Sequence, residues 1–398
     1  MWLWNARLWA EPPLPPRDRG ALLIEGATIR TVGEAQGSPP EGAIDLGGQT
    51  VLPGLIDAHC HFSSDLSRSP GFGPPPATAG EPPRSRALGY FILAAAAASI
   101  LRSGFTTIRD VGSYDDEALA AGEAIKLGVI PGPRVWSCGR IISATAPGGR
   151  IFGTMYREAD GPWEMRQAVR EQIQRGAHFI KFMATGARSV VGEDPEPPQM
   201  TGQEMAAICD EAHRMGLRVA AHAEGLEGAR LAITSGADTI EHGLALHRDP
   251  SLLELMASKG VVLVPTLSTF HDLAVRFASD FHPQLVEQAK RQSEEAGHTV
   301  AAAQSMGVTI AAGYDSGPPG SAAMELVRLV EAGLAAPEAV AAATAGGAQA
   351  LGRSDLGLIK PGAVADLIVV DGRPDMDITV LTDSSRITGV YQNGRLLQ

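Results

Sequence analysis

Apolar and polar positions along the chain fall into three regimes. At the N-terminal end, short apolar runs are cut by turn residues. Ala21-Leu22-Leu23-Ile24, then Glu25-Gly26, then Ala27 to Val32 predicts a hairpin. The C-terminal end repeats the habit with Asp366 to Val370, Ile387 to Gln392, an Asn393-Gly394 turn and Arg395 to Leu397. Asn-Gly between apolar runs is a strong hairpin signal, because both turn residues need positive φ. Neither end carries enough apolar residues for a core of its own. The two ends are therefore expected to pair into one small β-sandwich domain, residues 1–50 with 356–398.

The middle, residues 51–355, reads differently. Short Val- and Ile-rich runs alternate with longer segments of helical period. The runs are Val51–His61, Phe105–Val111, Arg134–Cys138, Phe179–Ala184, Arg218–His222, Thr239–His242, Val261–Leu267 and Thr309–Asp315. Helix candidates between them include Leu88–Arg102, Glu164–Arg175, Gly202–Met215, Gly225–Ser235 and Pro283–Ser305. Strands apolar on both faces and separated by helices specify a parallel sheet, and eight such units close a barrel. The expected fold is thus α/β, a (β/α)8 TIM barrel with a β-sandwich built from both chain ends. The third unit carries the weakest helical signal. Two Pro/Gly-rich stretches, Ser69–Pro83 and Gly192–Pro198, follow strand ends on the face where such barrels do chemistry. Each reads as a lid or pocket wall, or else as a plain surface insertion.

Composition narrows the partners. Lys+Arg 33 against Asp+Glu 45 leaves a net charge of −12, which repels nucleic acid and anionic membranes and leaves small molecules as the expected ligands. Cys60, Cys138 and Cys209 are scattered singly, which argues for a reducing compartment rather than a disulfide framework. The N-terminus lacks the basic-then-apolar order of a signal peptide, and the apolar stretches are too short to span a bilayer. A cytoplasmic location is the expectation.

The chemistry gathers where apolar runs stop. In Asp57-Ala58-His59-Cys60-His61, residues two apart share one strand face, so His59 and His61 can chelate one cation while Cys60 packs toward the helices. Lys181 stands in Phe179-Ile180-Lys181-Phe182-Met183, where a buried ammonium is costly. Either its tip reaches solvent at the rim, or CO2 converts it to a carbamate able to bridge two metals. Spacing does not decide between these. His222, His242 and Asp315 each end another run. Taken singly, each is an ordinary rim residue, whereas six such side chains on five strand ends together read as a metal centre.

These motifs resemble the amidohydrolase superfamily. Val51-Leu52-Pro53-Gly54-Leu55-Ile56-Asp57-Ala58-His59-Cys60-His61 is similar to its first-strand signature. Gly104 to Asp110, Ile180 to Gly186, Ile240-Glu241-His242-Gly243 and Leu356 to Leu367 resemble its imidazolonepropionase-like and Xaa-Pro dipeptidase, or prolidase-like, branch. The resemblance implies two divalent ions, usually Zn2+. One would be held by His59, His61, carboxylated Lys181 and Asp315, the other by Lys181, His222 and His242. Departures bear on substrate. The tyrosine that prolidase-like members carry two positions after the fifth-strand histidine is replaced by Glu224. Ile142-Ser143-Ala144-Thr145 is not followed by a histidine, and the last run ends Tyr314-Asp315-Ser316. Members of this group commonly associate, so a homo-oligomer is possible on the resemblance alone.

A hydroxide bridging two such ions is the expected nucleophile, since metal binding lowers water's pKa to about 7. Asp315 would accept its proton and deliver it to the departing nitrogen. Arg150 and Arg188, in the loops after the third and fourth strands, could fork onto a substrate carboxylate or merely be solvated. Glu224 could bond a metal-bound histidine, meet a substrate amine or face solvent, and His247 is a candidate rim contact. The expected reaction is hydrolysis of an amide in a dipeptide or N-acyl amino acid. The alternatives are a cyclic amide, carbamate or ester, including a xenobiotic; a mononuclear deaminase; and a silent scaffold. Deamination needs a Glu where Gly225 stands and has no use for Lys181, and a scaffold would have lost ligands.

Overall fold

The computed structural model describes residues 1–63, 87–187, 190, 192–276, 278–280, 283–315 and 317–397. The Ser69–Pro83 stretch, Arg188 and Ser316 lie outside the described residues.

Both chain ends meet in one sheet. Its order is Arg395–Leu396, Ile387–Gln392, Leu367–Val370, Thr50–Pro53, Trp2–Leu8, Arg17–Glu25 and Thr28–Glu34, with Ile44–Asp45 beside Trp2–Leu8. Asn393 and Gly394 take φ of 50° and 74°, the turn that the sequence pattern requires. Side chains alternate between two cores along the central strands. Val51, Leu367 and Val369 pack with Leu3 and Leu22 on one face, while Leu52, Ile368 and Val370 join the large core of the parallel sheets on the other. This alternation docks the end-built sheet onto the rest of the chain.

The run Val51–His61, expected as one strand, is two. Thr50–Pro53 belongs to the end-built sheet, and Leu55–Cys60 starts the parallel set. Gly54 makes the break, for a Cβ there would lie 2.2 Å from the Thr106 hydroxyl oxygen. Leu55–Cys60, Phe105–Asp110 and Arg134–Ser137 form a three-stranded parallel sheet. A six-stranded parallel sheet runs Tyr156–Glu158, Ile141–Ser143, Ile180–Met183, Val219–Ala223, Thr239–His242 and Val262–Val264. Ile141–Ser143 and Tyr156–Glu158 were not expected; these three-residue strands flank a six-residue helix, too short for a period to register.

The last run, Thr309–Asp315, does not form a continuous strand. It makes parallel bridges at Ile310 to Leu263 and at Asp315 to Cys60, touching one sheet at each end. Ala311 donates to Leu263 O at 2.9 Å and Ala58 donates to Ala312 O at 2.8 Å. Gly313 lets the chain pass between them, since a Cβ would lie 2.6 Å from both His59 Cβ and Val264 Cγ1. On the other side, His178 donates to Ser137 O at 2.8 Å. The expected helices form at Ala87–Arg102, Gly161–Gln174, Gly202–Arg214, Leu226–Ser235 and Pro283–Ser305. Gly202–Arg214 starts with a capping box, Thr201 accepting from Glu204 N and Glu204 from Thr201 N. No described helix is long and apolar enough to cross a membrane.

Candidate functional site

Four histidines, an aspartate and a lysine line one cup at the C-terminal ends of the parallel strands. His59 Nε2 and His61 Nε2 lie 3.8 and 3.5 Å from the same Asp315 oxygen. Donor atoms of these three residues fall within 4.8 Å of one another, close enough to share one ion. Ring centroids of His59 and His242 are 5.1 Å apart, and those of His222 and His242 are 4.5 Å apart. Lys181 is buried in the same wall, at 2% exposure.

Local backbone explains the convergence. A regular strand would send Glu241 and His242 to opposite faces. His242 instead takes φ 70°, and Asp315 takes φ 62°, a left-handed turn that few non-glycine residues adopt. The first lies at the end of the strand Thr239–His242 and the second at the isolated bridge of Asp315 to Cys60. Asp315 is pinned there by its N–H, which donates to His59 O at 2.7 Å.

Each histidine has one ring nitrogen engaged by an oxygen. His61 Nδ1 lies 2.7 Å from Gly112 O, His222 Nε2 3.1 Å from Gly186 O, and His242 Nδ1 2.7 Å from the Thr266 hydroxyl. His59 Nδ1 meets Glu241 at 2.6 Å. A ring that donates through one nitrogen presents a lone pair on the other, the form that binds cations. Glu241 is fully buried and also receives the Arg109 guanidinium at 2.8 and 2.9 Å and the Thr239 hydroxyl. Burial disfavours its charge, but Arg109 and His59 outweigh that and hold its carboxyl well below the usual range. Burial, helped by nearby Lys181, pushes His59 down to about 4 against the pull of Glu241, which favours the neutral ring. Burial likewise lowers Lys181 to about 8. Asp57 is pushed up to about 7 by burial, although its carboxyl accepts the N–H groups of Tyr314 and His59.

Residue composition had marked Glu241 and Arg109 only as parts of motifs. Their pairing could have been suspected from two opposite charges on strands otherwise apolar. Thr266, Gly112 and Gly186 carried no signal, since their roles depend on the fold. Glu224 is buried, its carboxylate 3.4 Å from His222 Nε2 and bonded by Gln292 at 3.1 Å. Arg150 is exposed on the helix Pro147–Phe152 and does not line the pocket, whereas Phe152 does. His247 sits away from the cup, its N–H and Nδ1 both meeting the Thr299 hydroxyl and its ring against His298. Cys60 packs against the cluster of Phe62, Leu93 and Ile108 and also borders the pocket. Above the cup the pocket is mainly apolar, with Ile141, Phe152, Met155, Tyr156 and Met183 on one side and Phe62, Leu273, Tyr314 and Pro319 among its other lining residues.

Comparison with known proteins identifies the family. The amidohydrolase family model matches residues 50–397. Ochratoxinase of Aspergillus niger is 33% identical over 419 aligned positions, spanning 96% of this chain and 84% of the relative. Imidazolonepropionase of Paracoccus denitrificans is 29% identical, spanning 91% and 90%. A crystal structure of a Xaa-Pro dipeptidase with bound methionine in the active site superposes with a TM-score of 0.88 at 31% identity, covering 100% of this chain and 99% of the other. The chain belongs to the amidohydrolase family and is a hydrolase of carbon–nitrogen bonds.

Proposed function

We propose that the protein hydrolyses an amide bond of a small substrate, a dipeptide or N-acyl amino acid, at a centre of two divalent ions. The observation that carries this reading is the cup itself: His59, His61 and Asp315 within ion-sharing distance, with His222, His242 and buried Lys181 around them. Members of this family are generally metal-dependent, and the donor set fits. Imidazoles fixed by oxygen partners, together with the Asp315 carboxylate, suit a divalent ion such as zinc. His59, His61 and Asp315 would hold one ion and His222 and His242 the other, with Lys181, as its CO2 carbamate, reaching both. A buried amine is compatible with that role because the carbamate charge is balanced by the cations it binds.

When bound, the ions would supply Lewis acidity and lower the pKa of water toward neutrality. The residues do the rest. Asp315, held by its own N–H on His59 O, is placed to take the nucleophile's proton and return it to the leaving nitrogen. Glu241 keeps His59 oriented, and Arg109 keeps Glu241 ionised. The apolar walls exclude water and seat the group beside the scissile carbonyl. We also assign the parallel strands other than Ile141–Ser143 and Tyr156–Glu158, with the run 309–315 as the eighth member, to one closed barrel, residues 51–355, with the end-built sheet as the second domain. The paired contacts of 309–315 and the bond from His178 to Ser137 support closure.

A second reading is favoured by Glu224, which stands where prolidase-like relatives carry a tyrosine, and by the aromatic wall of Phe152 and Tyr156. On it the substrate is a cyclic amide, carbamate or ester. Metal analysis joined to a substrate screen decides. Two ions per chain, with turnover of a dipeptide or N-acyl amino acid that a chelator abolishes, supports the first reading. Turnover confined to lactams, carbamates or esters supports the second. One ion with ammonia release would mean deamination, and no bound ion after zinc loading would mean a scaffold.

A further inference from the structure

The stretch 192–199, after the strand Ile180–Met183, returns to the end of that strand. At its far end Pro198 bridges Thr185, and Gln199 donates to Ala184 O at 2.8 Å. Its backbone presses on the residue after the fifth strand, for a Cβ on Gly225 would lie 2.1 Å from the Glu196 carbonyl oxygen. At its near end half-buried Glu193 spreads one carboxylate between its own loop and the loop that carries Gly148. One oxygen accepts the Gly148 N–H at 2.6 Å, and the other accepts the Ala187 N–H at 2.9 Å.

The two loops so joined carry different parts of the site. Gly148 begins the short helix that ends in Phe152, and Met155 and Tyr156 follow at once. Ala187 follows Gly186, whose carbonyl meets His222. The glycines are shaped around the carboxylate. A Cβ at Gly148 would stand 3.0 Å from one Glu193 oxygen, and a Cβ at Gly186 would stand 3.1 Å from the other. Ile141, Met155, Tyr156, Met183 and Ala187 pack together as one cluster, and all of them line the pocket.

We propose that Glu193 is a positioning residue for specificity, a clasp that fixes the apolar wall of the pocket against the loop whose Gly186 carbonyl meets His222. It thereby selects substrates with an aromatic group beside the scissile carbonyl over those with a small one. This rests on the amide-hydrolase reading, so the test includes measurements that need no turnover. Glu193→Ala removes both bonds, and Glu193→Gln keeps one acceptor oxygen. In Glu193→Ala the amide hydrogens of Gly148 and Ala187 should exchange about 10-fold faster or more. The KM for N-phenylacetyl-alanine should rise about 10-fold, with kcat within about threefold and N-acetyl-alanine kinetics unchanged. Calorimetric binding of phenylacetate to zinc-loaded protein should weaken in parallel, while acetate binding and ion content stay constant, and Glu193→Gln should fall between. Unchanged exchange, equal shifts for both acyl groups, or loss of an ion would overturn the clasp. If wild-type protein hydrolyses neither amide, the amide reading falls, and the exchange and phenylacetate measurements still decide the clasp.

Discussion

His59 and His61 reach the cup from a single strand end, whereas His222 and His242 come from two neighbouring strands. The two sides are also supported differently. Beneath His59 lies a buried chain of charge, in which Glu241 binds the ring and Arg109 binds Glu241, Thr239 and Ala58 O. Around His222 and His242 the bonded partners are the Gly186 carbonyl and the Thr266 hydroxyl, with Glu224 at 3.4 Å. Here the backbone is turned instead, His242 at φ 70° and Thr266 at φ 50°. Such conformations cost on the order of 1–3 kcal/mol each and persist where packing over-determines them. The first side thus rests mainly on buried charge, with one turned residue at Asp315, φ 62°, and the second mainly on a bent chain. Damage to the first should show as lost ion affinity together with lost stability, and damage to the second mainly as lost affinity.

The largest effects should come from groups both sides share. Lys181→Ala is expected to deplete both ions and bring turnover to background, with short carboxylic acids restoring part of each. Full metal occupancy in that variant without added acid would remove the carbamate. Asp315→Asn should keep the fold, by circular dichroism and melting temperature, while kcat falls about 10²- to 10⁴-fold. Unchanged kcat would take proton transfer away from Asp315. Glu241→Gln separates the two sides. It should weaken one ion about 10- to 100-fold in chelator competition. It should also cost about 3–5 kcal/mol in urea unfolding, because Arg109 is left buried without its countercharge. Loss of both ions to the same degree would show that the sides are not independent.

The division also explains what could be read in the chain. His59 and His61 were legible because a period of two is a local rule, and the hairpin at Asn393-Gly394 was legible for the same reason. His222, His242 and Asp315 were visible as polar residues ending apolar runs. The left-handed turns at His242 and Asp315 were not, because positive φ at such residues follows from contacts made far along the chain. The last run was expected as a strand from its Val, Ile and Ala content. Gly313, squeezed between His59 and Val264, leaves it with isolated bridges instead. Short strands around the helix Pro147–Phe152 fell below any periodic signal. Arg150 was chosen because an arginine near a strand end can clamp a carboxylate. The helix sets it outward and turns Phe152 in, which no one-dimensional pattern distinguishes.

The smallest expected effect is the sharpest test of the bent side. Thr266→Val keeps the shape of the side chain and its β-branch, and removes only the hydroxyl that meets His242 at 2.7 Å. The turn itself should survive, because Glu325 accepts the N–H groups of Leu267 and Ser268 at 2.8 and 2.7 Å. Stability should therefore fall by no more than about 1 kcal/mol, the worth of one hydrogen bond. The ion on the His222 and His242 side should weaken about 10-fold, because the ring is no longer fixed in one tautomer. Thr266→Ser restores the hydroxyl without the methyl and should recover affinity. Equal ion affinity in the valine and serine variants would mean that the hydroxyl does not orient His242, and that packing on Phe270, whose ring lies edge-on at 6.0 Å, holds the imidazole instead.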